Sequence, residues 1–266
     1  MPISVPHAFR PLPQSEFAQL DYQVMRLAFE SQNKLGRLCE EEIYQNDLLA
    51  RLSSAGLPAA KEVPQTVSHG SFKKTYLLDL LVAQSAIYEL KTASALTGAH
   101  EAQLLNYLFL SASPHGKLIN FRPSQVESRF VNTTLTPSER RQFFVDKIRW
   151  QERDKTEVIF REQLIALMTD WGCRLDFALY KEAMIHFAGG EAQVVQRLPL
   201  SDDTTPLGAQ CFNCLNPETA FRFTAVTEGL ANYETQLHAL LRLSPLRTLQ
   251  WINLEHQKIQ LITLTR

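Results

Sequence analysis

The sequence predicts a mixed α/β architecture (an α+β fold with a mixed sheet), and it predicts this architecture twice in one chain. Apolar residues recur at helical spacing near the start of the chain, and short apolar strands separated by turn residues follow. Short sequence matches then recur in the second half, in the same order, at offsets of 132 to 136 residues. A period of this length indicates duplicated domains. Each half is therefore expected to contain an αβββαβ core.

The elements of the first half follow from its apolar pattern. Helical spacing covers the segment from about Glu16 to Leu52, with a break near Leu35–Gly36. The later elements are strands over Val63–Val67, Thr75–Val82 and Ala86–Lys91, a helix over His100–Leu110 and a closing strand over Gly116–Phe121. Pro64 cannot donate a ladder hydrogen bond, so its strand is expected at an edge or with an irregular start.

Four segments are predicted along the chain. The prolines in residues 1–14 predict an extended arm. The segment Thr136-Pro137-Ser138-Glu139 predicts the start of a helix. The expected segments are the arm at 1–14, a first domain at 15–133, a connector at 134–158 and a second domain at 159–266. The connector mixes basic and acidic side chains, which could touch phosphates but are more typical of a solvated segment.

Composition and charge exclude several classes of protein. Hydrophobic residues make up 45% of the 266, and the formal net charge is −1, so the chain can build cores but shows no overall basic character. No apolar run is long enough to cross a bilayer, and no signal-peptide pattern occurs, so a cytoplasmic protein without a membrane partner is expected. Cys211 and Cys214 form a lone CxxC that lacks two further ligands, and they are interpreted as ordinary thiols.

Three charged residues lie within the apolar strands of the first half. Asp79 is in one strand, and Glu89 and Lys91 are in the next. Because strand side chains alternate between faces, Glu89 and Lys91 share a face. A tight turn between the two strands would bring Asp79 beside Glu89. Burying such charges is costly unless they are paired or bind a metal ion, so their presence needs a physical reason.

The chemistry of this set indicates a metal site. The carboxylates of Asp79 and Glu89, with the backbone carbonyl of Leu90 between them, provide hard oxygen ligands suited to Mg²⁺ or Mn²⁺. Lys91 could position the attacking water and stabilise charge on a phosphate. The alternative is a structural salt bridge between Lys91 and one carboxylate. The spacing Asp-x9-Glu-x-Lys between apolar residues favours the metal site.

Two pairs on the helices have compatible positions. Glu41 and Tyr44 are three residues apart on the first helical segment, and Gln103 and Tyr107 are four apart on the second. Each pair therefore shares one helix face. Taken singly, either pair is more typical of a surface or core contact than of a site.

In this order the motifs resemble the bacterial GxxExxY proteins of the PD-(D/E)XK nuclease superfamily. The resemblance covers roughly residues 16–131 and rests on Leu35-Gly36, Glu41-x-x-Tyr44, Val63-Pro64, Asp79, Glu89-Leu90-Lys91, Glu101-Ala-Gln103-Leu-Leu-Asn106-Tyr107 and Leu118-Ile119-Asn120-Phe121. It implies an αβββαβ core and divalent-metal hydrolysis of phosphodiester bonds. It also implies that Glu41, Asp79 and Glu89 are metal ligands, that Lys91 is catalytic and that Gln103 and Tyr107 support the site. The glycine that names the motif is Leu38 here.

The second half is interpreted as a degenerate copy of the first. Gly36 and Tyr44 match Gly172 and Tyr180, and the tetrapeptide from Leu118 to Phe121 matches that from Trp251 to Leu254. At the site positions the expectation is Phe221 for Glu89, Phe223 for Lys91, Phe177 for Glu41, and a residue from Cys211 to Asn213 for Asp79. Phenylalanine cannot hold a metal ion. An unrelated α+β domain remains the alternative.

Two functions are compatible with these features. The first is an Mg²⁺- or Mn²⁺-dependent nuclease that acts on DNA or RNA and carries an inactive C-terminal copy, with the two halves able to form an intramolecular pseudo-dimer. The second is a non-catalytic protein of the same fold that binds nucleic acid or a protein partner. The set Asp79, Glu89 and Lys91 favours the nuclease, whereas the neutral charge favours the binding protein.

Overall fold

The computed structural model describes residues 3–5 and 9–266, and Pro2 and Pro6 of the predicted arm lie outside the described residues. The chain divides into two compact units, Met1–Pro137 and Ser138–Arg266. Each unit contains one six-stranded sheet.

The first unit is a mixed sheet with helices on both faces. Its elements are β1 (Ile3–Ser4), α1 (Gln14–Leu35), α2 (Glu41–Ser54), β2 (Ala59–His69), β3 (Phe72–Val82), β4 (Ala86–Lys91), α3 (Gly98–Ser111), β5 (His115–Asn120) and β6 (Glu127–Asn132). The strand order is β1-β2-β3-β4-β5-β6. β4 and β5 are parallel, and the other neighbours are antiparallel. The helix α3 provides the crossover that a parallel pair requires.

The sequence located most of these elements. β4 has the predicted bounds, whereas β2 and β3 extend beyond theirs. The short β1 and the polar β6 were not predicted, because an edge strand with polar side chains lacks the apolar signal. Pro64 pairs with Leu77 on β3 and lies outside the short stretch that β1 covers, and the neighbouring Glu62 has a φ of 51°. The irregular edge expected around Pro64 is present.

The core of the first unit lies on both faces of β4. Tyr88 and Leu90 pack with α1 and α2, whereas Ile87 packs with Leu104 and Leu108 of α3. All six residues of β4 are buried. Because faces alternate along a strand, Glu89 and Lys91 lie on the α3 face of this buried strand.

The second unit contains another mixed sheet. Its elements are α4 (Pro137–Arg140) at the unit boundary, β7 (Phe144–Arg149), α5 (Lys155–Trp171), α6 (Phe177–Phe187), α7 (Glu191–Val194), β8 (Val195–Asp202), β9 (Thr205–Asn216), β10 (Thr219–Thr224), α8 (Leu230–Leu243), β11 (Thr248–Glu255) and β12 (Lys258–Thr265). The strand order is β7-β12-β11-β10-β9-β8. β7 lies within the segment 134–158 that was expected to be a connector, and it pairs with β12.

The two units have the same order of main elements, and strands β2 to β6 pair as β8 to β12 do. The sixth strand differs, because β1 is antiparallel to β2 whereas β7 is parallel to β12. Two long helices, an antiparallel three-stranded meander, a crossover helix and two further strands occur in each. The pair β10 and β11 is parallel, like β4 and β5, and the remaining pairs of β8 to β12 are antiparallel. The order helix, three strands, helix, strand expected for the second half is therefore present.

Equivalent hydrogen bonds occur at the helix junctions of both units. The hydroxyl of Tyr44 donates to the carbonyl of Gly36 at 2.6 Å, and that of Tyr180 donates to the carbonyl of Gly172 at 2.7 Å. Gly36 and Gly172 have φ values of 72° and 77°, a region that favours glycine. The four residues are among those whose spacing suggested the repeat.

Two other expectations concern membranes and cysteines. Within the described part of the chain, no helix has the length and apolar character needed to cross a membrane. Cys211 is exposed, Cys214 is buried, and both are free thiols.

Candidate active site

The predicted charged set comes together between β3 and β4. Glu89 lies on the central strand β4 and is only 1% exposed to solvent. Lys91 lies two residues further along the same strand, on the same face. Asp79 lies on β3, which pairs antiparallel with β4 after the turn at Ala83–Ser85. The turn residues Ala83 and Gln84 have φ values of 52° and 55°. This hairpin returns the chain tightly enough for Asp79 and Glu89 to become neighbours.

The three side chains form one ionic cluster. Nζ of Lys91 lies 2.7 Å from Oε1 of Glu89 and 3.9 Å from Oδ2 of Asp79. The backbone amide of Leu90 donates a hydrogen bond of 2.8 Å to Oδ2 of Asp79. The side chain of Asp79 is therefore fixed against β4, between the backbone of Leu90 and the ammonium group of Lys91. This geometry is compatible with both interpretations of Lys91 from the sequence, as a catalytic group and as a salt-bridge partner.

Burial changes the acidity of the two carboxyl groups. The pKa of Glu89 is raised to about 8, because desolvation and the charge of Asp79 together outweigh the lowering effect of Lys91. Desolvation also raises the pKa of Asp79, against the lowering effect of Lys91 and of the Leu90 amide. Burial lowers the pKa of Lys91, but the charges of Glu89 and Asp79 outweigh it and leave that pKa raised. The cluster therefore keeps Lys91 charged and favours a proton on Glu89.

One oxygen of the cluster lacks a partner. Oε2 of Glu89 is buried and accepts no hydrogen bond from the described residues. A buried carboxylate oxygen without a partner is costly, and a cation would satisfy it. Two adjacent carboxylates with one unsatisfied oxygen fit a divalent cation, which takes hard oxygen ligands. Within residues 3–5 and 9–266, no group of three or more His, Cys, Asp or Glu side chains is arranged to hold a metal ion.

Glu41 lies at the start of α2, near the charged cluster. Desolvation raises its pKa, Lys91 lowers it, Asp79 raises it, and the backbone of Thr92 contributes a hydrogen bond that lowers it. Glu41 is therefore close enough to Asp79 and Lys91 to interact with their charges, and it lines the same cavity as Asp79. Among the described residues, the carboxylate that the resemblance implies as a third ligand does not form a three-ligand group with Asp79 and Glu89.

Gln103 and Tyr107 of α3 form a pair, as their spacing suggests. Nε2 of Gln103 donates to the hydroxyl of Tyr107 at 3.1 Å. Burial raises the pKa of Tyr107; the hydrogen bond from Gln103 lowers it, and the charges of Glu89 and Asp79 raise it. The phenol therefore stays protonated at neutral pH and lies close enough to Glu89 and Asp79 to interact with their charges.

The structure adds residues that the sequence did not single out. Gln45 follows Tyr44 on α2, and its Nε2 donates to the backbone carbonyl of Asp79 at 2.7 Å. Arg122 joins the helix junction to β4 through the carbonyls of Arg37, Cys39 and Thr92. The one sequence signal for Gln45 is its spacing of four residues from Glu41, which puts both side chains on the same face of α2.

An acidic cavity opens beside Asp79. Its volume is about 440 Å³, and its lining includes Glu41, Gln45, Glu62 and Asp79. The charge of Glu62 contributes to raising the pKa of Asp79. An acidic cavity attracts cations and repels phosphate, so a nucleic-acid ligand would need a bound cation to approach Asp79.

Equivalent asparagine contacts align the second sheet with the first. Asn120 binds both backbone groups of Ala93 and also Glu127, and Asn253 makes the same bonds to Val226 and Gln260. This common arrangement sets the offset between the sheets at 133 residues.

The sheet register corrects one expectation from the sequence. Lys91 pairs with Asn120, and Thr224 pairs with Asn253. Arg222 and Thr224 therefore stand where the first unit has Glu89 and Lys91. The expectation of Phe221 and Phe223 was wrong by one residue, and a shift of one residue moves a side chain to the other face of the sheet. Phe221 contacts Phe160 of α5, which is the opposite face from Arg222.

Comparison with known proteins supports the nuclease superfamily for the first unit. Residues 18–131 match the family model of the PD-(D/E)XK nuclease superfamily. No curated protein matches. A solved structure described as "Crystal structure of SSO0001" is similar, with 22% identity over 46% of this chain and a TM-score of 0.31. The match spans 64% of that chain.

Proposed function

We propose that the first unit is a divalent-metal-dependent nuclease of the GxxExxY type, which hydrolyses phosphodiester bonds in DNA or RNA. The observation that carries this proposal is the buried, unpartnered Oε2 of Glu89, beside Asp79 and Lys91. The match of residues 18–131 to the nuclease superfamily supports it. Burying these charges costs desolvation free energy, and a catalytic role would account for their presence in the strands.

Four groups would hold the cation, which is Mg²⁺ or Mn²⁺. They are the carboxylates of Asp79 and Glu89, the backbone carbonyl of Leu90, and the carboxylate of Glu41. When bound, such a cation acts as a Lewis acid on a phosphoryl oxygen and lowers the pKa of a coordinated water. Two hydrogen bonds hold Asp79 in position: its carboxylate accepts from the amide of Leu90, and its carbonyl accepts from Gln45.

Lys91 and the α3 pair act around the carboxylates. Lys91 is charged, lies within reach of both carboxylates, and can orient a water molecule or stabilise charge on a phosphate. Tyr107 keeps its proton and can donate a hydrogen bond, while Gln103 fixes its hydroxyl. We assign Gln103 and Tyr107 a positioning role beside the carboxylates of Asp79 and Glu89.

We infer that the second unit is a duplicated, inactive copy of the first. The shared strand pairing, the matching Tyr–Gly hydrogen bonds and the equivalent asparagine contacts support a common origin. Arg222 and Thr224 at the positions of Glu89 and Lys91 support the loss of metal chemistry, because a guanidinium cannot replace a carboxylate ligand and a hydroxyl cannot replace the charge of the lysine.

A second function is a binding protein of the same fold without catalysis. The lack of a three-ligand metal group among the described residues favours it, as does the ion pair of 2.7 Å that already links Lys91 to Glu89. In this alternative the cluster is structural and the surface alone contacts nucleic acid or a protein.

A hydrolysis assay separates the two functions. Labelled single-stranded and double-stranded DNA and RNA would be incubated with the protein and Mg²⁺, Mn²⁺ or EDTA. If the protein is a metal-dependent nuclease, cleavage products should form only when Mg²⁺ or Mn²⁺ is present. The Glu89→Gln variant should form no cleavage products. Glu16→Gln is the matched control, because Glu16 is an exposed carboxylate on α1 of the same unit. Cleavage that continues in EDTA or survives Glu89→Gln would contradict the metal mechanism, and no cleavage of any substrate favours the binding protein.

A further inference from the structure

The second unit contains a cleft where the first unit has its carboxylates. The cleft has a volume of about 700 Å³ and is lined by residues from α6, β9, β10 and α8, including Lys181, Phe212, Arg222 and Leu240. It lies entirely within the second unit.

The strand register aligns this cleft with the carboxylate site of the first unit. Leu80 pairs with Tyr88 in the first sheet, and Asn213 pairs with Phe221 in the second. With Phe221 at the position of Tyr88, the residue before Asn213 takes the position of Asp79. That residue is Phe212, which lines the cleft beside Arg222.

The chemistry of the position is reversed between the two units. Phe212 and Arg222 replace Asp79 and Glu89. The two carboxylates of the first unit repel a phosphate unless a cation is bound between them. Arg222 is exposed, and its Nε donates to the hydroxyl of Tyr233 at 2.7 Å. Its guanidinium lies 5.9 Å from the centre of the Tyr233 ring. Tyr233 therefore holds the guanidinium in one orientation while its terminal nitrogens stay available.

The charge of Arg222 is not neutralised within the unit. Among residues 3–5 and 9–266, no carboxylate forms an ion pair with Arg222 or with Lys181 of the same cleft. Glu182 and Glu191 also line the cleft and are exposed. The cleft as a whole is therefore not strongly basic, and selectivity for an anion depends on the oriented guanidinium rather than on total charge.

We propose that this cleft binds a phosphate group of a nucleic-acid strand directly, through Arg222 and Lys181, without a metal ion. A guanidinium fixed at Nε presents its remaining N–H groups as a fork that matches two phosphate oxygens. Lys181 adds a second positive charge, and Phe212 provides an apolar wall beside it. The choice of nucleic acid as the ligand rests on the function proposed for the first unit.

The test is binding without metal. A short fluorescein-labelled single-stranded oligonucleotide would be titrated with the full chain in EDTA at several salt concentrations, and anisotropy would be measured. Arg222→Gln should weaken binding roughly tenfold. It should also reduce the slope of log affinity against log salt by about one. Arg222→Lys should lie between, because it keeps the charge and loses the fork.

The controls separate this site from general charge and from the first unit. Arg242→Gln removes the same charge from an exposed position on α8 outside the cleft, and should bind as the wild type does. Circular dichroism and thermal melting check that Arg222→Gln is folded. The proposal is overturned if the wild type does not bind in EDTA, if Arg222→Gln binds like the wild type, or if Arg242→Gln is weakened equally. Asp79→Asn should lose hydrolysis and keep binding in EDTA, so a failure of the nuclease proposal is recognised separately.

Discussion

The backbone amide of Leu90 donates a hydrogen bond of 2.8 Å to Oδ2 of Asp79, across the β3–β4 hairpin. This contact joins the two strands of the site through a backbone group that no substitution of Leu90 except proline removes. It orients one carboxylate so that the neighbouring Glu89 and Lys91 complete the cluster. The geometry of the site therefore depends on the pairing of the strands as much as on its side chains.

Asp79→Ala should abolish binding of Mg²⁺ and Mn²⁺. The substitution removes one of the two adjacent carboxylates, and the remaining groups, Glu89, Glu41 and the Leu90 carbonyl, would not hold a hard cation tightly. Isothermal titration calorimetry with Mn²⁺ measures the change, with Glu16→Ala as the control in an exposed part of α1. Equal heats for the wild type and Asp79→Ala would contradict a metal site between these strands.

Lys91→Ala should lower the hydrolysis rate by at least about a hundredfold and leave metal binding intact. The ammonium group acts on water and phosphate rather than on the cation, and electrostatic groups of this kind contribute about 10²–10³ in rate. Single-turnover cleavage and Mn²⁺ calorimetry are the two measurements. A variant that unfolds at ordinary temperature would instead support the structural salt bridge between Lys91 and Glu89.

The stability of the metal-free protein should fall as pH rises from about 5 to about 8. The carboxyl of Glu89 has a raised pKa of about 8 in the folded state and an ordinary value of 4.5. Between these values the folded protein keeps a proton that the unfolded chain releases, so the free energy of unfolding decreases with increasing pH.

Glu89→Gln tests this linkage because glutamine is neutral at every pH. The variant should melt with a shallower pH dependence than the wild type, and added Mg²⁺ should stabilise the wild type most at high pH, where the cation replaces the proton. Thermal melting across this pH range, with Glu16→Gln as the control at an exposed position, provides the measurement. An unchanged slope in Glu89→Gln would assign the pH dependence to other groups.

Phe221→Ala should destabilise the protein by about 3–5 kcal/mol without changing metal affinity. Phe221 is 2% exposed and its ring lies 4.8 Å from that of Phe160 on α5, so its removal leaves a cavity in the second unit. Urea denaturation followed by circular dichroism measures the loss. Phe144→Ala is the matched control, since Phe144 on the edge strand β7 is 63% exposed and should change stability by less than about 0.5 kcal/mol.

The sequence by itself determined the local features of the site. The apolar run Ala86–Lys91 defined β4 with its observed bounds, and the alternation of faces placed Glu89 and Lys91 together. The turn after Val82 was sufficient to bring Asp79 alongside. These conclusions need only the period of a strand and the reach of a hairpin, which are properties of a short stretch of chain.

Only the tertiary structure decided the features that depend on pairing between distant segments. The segment Phe144–Arg149 lacks the alternating apolar pattern of a half-buried strand, and it forms β7 by pairing with the edge of β12. The register of β10 against β11 placed Arg222, rather than Phe221, at the position of Glu89. A register is set by contacts between strands far apart in sequence, and a shift of one residue exchanges the two faces. For the same reason, the unpartnered oxygen of Glu89 and the cleft beside Arg222 became visible only once both sheets were assembled.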